Sequence, residues 1–169
     1  MFLLALLVGL AAQPARADIE VGFWSRELGL DLPHAFFTVK GVVAGKPVEE
    51  SYGFTAKTIT PALLWGPVPG RIDVTTKSYM TASNKLFSVV IPEDGYARLH
   101  IIVQRYSVKP GSIYKMNDRN CVHFVAEAVE AVGLRAPNQT GLMKRPTSFL
   151  LAVAAANRDF ATLKMVQRK

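Results

Sequence analysis

Cysteine occurs once in this chain of 169 residues, at position 121, and histidine three times, at positions 34, 100 and 123. One thiol excludes an internal disulfide. No pair among these residues has the spacing of a recognised metal motif, so a zinc site from Cys121, His34 and His100 would have to be assembled wholly by the fold. No metal and no cofactor is therefore expected. Acidic residues are scarce beside basic ones, 13 against 20, giving a formal charge of +7. The basic residues are scattered, with runs such as Lys144-Arg145 and Arg168-Lys169 only two long, and no aromatics interleave them. That pattern excludes a nucleic-acid stripe and leaves a general attraction to anionic polymers or headgroups. Internal repeats and low-complexity segments are absent. Half of the residues are hydrophobic, enough for one compact domain with its own core.

The longest apolar run, Phe2 to Ala12, precedes Gln13-Pro14 and Ala15-Arg16-Ala17. This is a short hydrophobic region followed by an A-x-A cleavage signal, though without a basic start, so residues 1–17 are expected to be a cleaved secretory signal. The run is short for a membrane span, so no stable membrane insertion is expected. The domain would occupy residues 18–169 of an exported protein, secreted or periplasmic. A lone cysteine in an oxidising compartment is a liability unless the thiol is used.

Ile19, Val21 and Phe23 alternate as in a half-buried strand. Residues 34–43 and 48–55, joined at Ala44-Gly45-Lys46-Pro47, read as a hairpin with His34 at its start. Proline and glycine make 56–70 irregular, with Leu63, Leu64 and Trp65 expected against a pocket or the core. Residues 71–75 and 86–91 read as strands. Pro92, Glu93 and Asp94 open a helix over 92–106, and Thr147 is expected to cap a last helix through Ala156.

The stretch Asn120-Cys121-Val122-His123-Phe124-Val125 organises the rest. Asn120 is a preferred N-cap, and Phe124, Val125, Ala128, Val129 and Val132 recur at helical spacing up to Gly133. Cys121 is thus expected at the first helical position, where the helix dipole and free N–H groups favour the thiolate. The competing reading is a small buried hydrophobe. His123 is two residues on, about 200° around the helix, and is expected to point away from the thiol. His100 is expected to be a satisfied, partly buried residue of the 92–106 helix.

This block, with a strand histidine upstream in Pro33-His34-Ala35-Phe36, resembles the circularly permuted papain-like superfamily. That group includes bacterial cell-wall amidases and peptidases and the lecithin:retinol acyltransferase-like proteins, whose motif is Asn-Cys-Glu-His-Phe; here Val122 replaces the Glu. The resemblance implies an α+β fold in which an antiparallel sheet packs on the helix that begins with the cysteine. It implies Cys121 as nucleophile, His34 as base and the Cys121 backbone N–H as an oxyanion donor. For an orienting third residue, the strand after His34 offers Glu50, Tyr52 and Thr55, none of them the second histidine of the acyltransferases.

The expectation is an exported cysteine hydrolase of amide bonds, with peptidoglycan peptides as the natural substrate of a basic protein there. The alternatives are a lipid acyltransferase or thioesterase of the same fold, and a non-catalytic envelope binding module in which Cys121 is core.

Overall fold

In the computed structural model the described residues are 19–27, 32–138 and 140–166. The expected signal segment, 1–17, lies outside them, as does Gln139 of the Asn138-Gln139-Thr140 sequon.

Three strands follow the sequence pattern closely. β1 (Ile19–Arg26) pairs antiparallel with β2 (His34–Val43), and β2 with β3 (Lys46–Ala56). The hairpin turn is Ala44-Gly45, with φ of 48° and 75°. Both residues are left-handed, as a two-residue hairpin turn of matching twist requires. Glycine takes this at no cost; Ala44 is held there, its N–H donating to Glu93 Oε1 at 2.9 Å.

β4 is Val68–Asp73, earlier than the expected 71–75, because its register is fixed by β3, Gly53 against Asp73 and Ala56 against Gly70. Past Asp73 the chain leaves the sheet, and the Thr75 N–H donates to the Ser51 hydroxyl at 2.8 Å. A short helix unforeseen in the sequence, α1 (Lys77–Thr81), starts at Thr76, whose hydroxyl accepts the Tyr79 N–H. β5 is Asn84–Ile91 and α2 is Glu93–Ser107. Two two-residue strands, β6 (Ile113–Tyr114) and β7 (Lys164–Met165), close the edges of an antiparallel sheet ordered β6-β4-β3-β2-β1-β5-β7. They are too short to show a period.

α3 (Cys121–Ala131) and α4 (Pro146–Ala156) lie with α2 against one face of this sheet. The fold is α+β. α4 begins one residue before the expected cap: Arg145 is the N-cap, Pro146 takes the first helical position, and the Thr147 hydroxyl instead hydrogen-bonds the buried Ser25 hydroxyl at 2.7 Å. Phe37, Phe54, Tyr106, Tyr114 and Phe124 pack into one aromatic cluster between sheet and helices. Leu63 joins this core, whereas Leu64 and Trp65 face solvent, Trp65 at 87 % exposure. Among the described residues no helix is long and apolar enough to cross a membrane.

Candidate functional site: a thiol and an imidazole on opposite faces of one strand

α3 starts where the sequence places its start. Asn120 Oδ1 accepts the N–H groups of Val122 at 2.8 Å and His123 at 3.2 Å, while Asn120 Nδ2 donates to the carbonyls of Met116 and Met143. The imidazole of His123 folds back to the Asn120 N–H and side chain, completing a capping box in which histidine replaces the usual Glu or Gln. His123 is therefore a capping residue, and it points away from the thiol. These hydrogen bonds on one buried asparagine hold the helix start, and with it Cys121, in place.

Cys121 is the first helical residue and 5 % exposed. The N–H groups of Ala35, Val122 and Cys121 itself face its sulfur and favour the thiolate. Burial opposes them more strongly and pushes the thiol up to about 11. The sequence expectation of a lowered pKa is thus reversed in this conformation. A helix N-terminus offers partial charge, but removal from water costs the anion more.

The role of Ala35 shows where the thiol sits. Pairing of β2 with β3 begins only at Phe36/Gly53, so the first residues of β2 have no partner on that side. Strand N–H groups lie in the sheet plane, and that of Ala35 is directed at Cys121. The thiol therefore meets the edge of β2 where the sheet parts. Tyr114 closes the other side, its hydroxyl facing the Cys121 N–H, and burial holds that phenol well above its usual range.

His34 is the preceding residue, so its side chain lies on the other face of β2. Its ring stacks on Phe36 at 6.2 Å and meets Tyr79 of α1 edge-on at 6.4 Å. Nε2 lies over Gly53, where any Cβ would collide with it. Burial lowers the imidazole to about 4, opposed by the charge of Asp73, so the ring is neutral at neutral pH and a weaker base than a free imidazole. A cavity of about 480 Å³ opens beside it, lined among others by Thr55, Arg71, Asp73, Tyr79 and Tyr114.

The structure thus places Cys121 and His34 on opposite faces of the start of β2, without a hydrogen bond between them; Tyr114, beside the thiol, also lines the cavity beside His34. Of the three candidate orienting residues, only Thr55 lines this cavity. The Glu50 carboxylate accepts from Tyr96 at 3.0 Å and pairs with His100 Nε2 at 3.1 Å, and Tyr52 packs edge-on against His100. Asp73 is the residue sequence reasoning missed. It lies within the expected 71–75 strand, but only the β3–β4 register brings it beside His34. Among the described residues no group of three His, Cys, Asp or Glu side chains is arranged to hold a metal.

No family model matches the chain, and no curated protein matches it. A solved structure does. The fold resembles that of TseH, a type VI secretion system effector. The likeness to its crystal structure covers 88 % of this chain and 98 % of that one, with a TM-score of 0.52 at 13 % identity. At that identity the likeness to TseH is one of fold, extending over nearly the whole of both chains.

Proposed function

We propose that this protein is a papain-like cysteine hydrolase, exported from the cell that makes it and directed at amide bonds of peptidoglycan. The observation that carries the reading is the placement of its one thiol. Cys121 sits at the first position of a firmly capped helix, with backbone N–H groups around the sulfur, one of them from Ala35, the residue next to His34. The fold likeness to a secretion-system effector agrees with a hydrolase that acts outside its producer, and the net positive charge suits an anionic wall.

In this reading Cys121 attacks the amide carbon and the developing oxyanion is met by the Cys121 N–H, displacing the Tyr114 hydroxyl. His34 takes the thiol proton and returns it to the leaving amine. Water then attacks the thioester, giving up a proton to His34 and releasing the acid. The transfer requires the thiol and the imidazole to come within hydrogen-bond reach of each other.

A second reading is favoured by the burial of the thiol: a non-catalytic binding module in which Cys121 is core. One pair of measurements decides. Digestion of purified peptidoglycan should fall by on the order of 10³ or more in both Cys121→Ala and His34→Ala. Alkylation of the folded protein should proceed without unfolding and slow in His34→Ala. A Cys121→Ala variant as active as the parent, or a thiol that reacts only in denaturant, would establish the binding module.

A further inference from the structure

Gly53 lies on the interior strand β3, buried, in a row that should carry side chains. Its neighbours on that face are Phe36 of β2 and Asp73 of β4, the residues paired with it across the sheet. Glycine weakens a strand interior, so its presence asks for a reason. The reason is steric. A Cβ built here would overlap His34 Nε2, and would lie 3.3 Å from His34 Cε1 and 3.4 Å from Phe36 Cβ. The imidazole occupies the volume that the missing side chain leaves.

The rest of the enclosure is equally specific. Phe36 stacks under the ring and Tyr79 stands at its edge. The charged groups facing it are Asp73 and Arg71 on β4, which pair with each other at 3.4 Å, and Lys57 after β3. Arg26 on β1, the residue paired with His34, lies over the Tyr79 ring at 4.3 Å. Of these groups the Asp73 carboxylate is the one whose charge acts on the ring. Among the described residues no group hydrogen-bonds the imidazole, so its position is set by shape and by that carboxylate.

We propose that Gly53 and Asp73 form a seat that positions His34: the glycine supplies the room for the ring, and the carboxylate paired with that glycine across the sheet lines the cavity beside it. Asp73 is a positioning residue and not a catalytic one, since it acts through His34. The role given to His34 rests on the hydrolase reading above. The seat itself does not.

The test is an NMR titration of the His34 ring in the full chain, in wild type, Asp73→Asn and Gly53→Ala, beside peptidoglycan digestion against pH. In Asp73→Asn the His34 pKa should fall by about one unit, and the acidic limb of the pH–rate profile should move with it. In Gly53→Ala the ring resonances should lose the upfield shifts that Phe36 and Tyr79 impose, with the far-UV spectrum unchanged. A His34 titration unmoved by Asp73→Asn overturns the proposal, whatever Gly53→Ala does to folding. If Cys121→Ala digests normally while the titration shifts as expected, the hydrolase reading fails and the seat stands. If Cys121→Ala is inactive and the titration does not move, the seat alone fails.

Discussion

The two faces of β2 are built differently, although they alternate along one strand. Ala35, Phe37 and Val39 face the helices and are fully enclosed, joined to Phe124 and the aromatic cluster around it. His34, Phe36 and Thr38 face the other way, toward α1 and open cavities, and their neighbours carry charge: Arg26, Arg71, Asp73 and Lys85. The first face holds a thiol that is 5 % exposed. The second puts an imidazole beside a cavity, with a glycine cut away to receive it. The two faces come closest in sequence at the start of β2, where pairing with β3 has not yet begun.

Truncating each face should measure the contrast. Phe124→Ala empties a site against Phe37, Phe54 and Tyr106 and should cost about 3–5 kcal/mol in urea denaturation. Tyr79→Ala, on the half-buried side, should cost less than half of that. Equal losses would mean that the second face is a core of its own.

The anchoring of the thiol can be broken without touching it. Asn120→Ala removes the N-cap and two hydrogen bonds to backbone carbonyls, and should destabilise by about 2 kcal/mol. It should also raise the alkylation rate of Cys121 in the folded state, since the helix start is no longer fixed. An unchanged rate would assign the thiol's protection to the core alone.

The smallest effect is a pH dependence that separates the faces by sign. His34 has a folded pKa of about 4, below the ordinary 6.5, so between those values the unfolded chain binds the proton and stability falls with acidification. The loss should be on the order of 1–2 kcal/mol, less than the full linkage because the ring borders an open cavity. His34→Gln should flatten that slope. Cys121 has its pKa raised from 9.0 to about 11, so its contribution is complete below pH 9 and is lost as the pH rises through that window. Cys121→Ala should remove only this alkaline fall.

Much of this was legible along the chain. Alternation marked β1, the turn residues marked the β2–β3 hairpin, and Asn120 with the apolar spacing after it marked the first residue of α3. The register of β4 was less so, because Thr75 suits a strand as well as the turn it enters, and β6 and β7 carry no pattern. Thr147 resembled a cap because hydroxyl residues cap helices, yet its hydroxyl found Ser25, 122 positions away. Asp73 was hidden for the same reason: nothing local ties it to His34.

The sequence by itself determined that one cysteine would stand at a helix start and one histidine at a strand start, since capping chemistry and period are properties of neighbouring residues. Tertiary structure alone decided the rest. Which face His34 takes depends on the register of β2 with β1, where it pairs with Arg26, and whether Cys121 is charged depends on the water that packing excludes. Both are settled by residues far away in the chain.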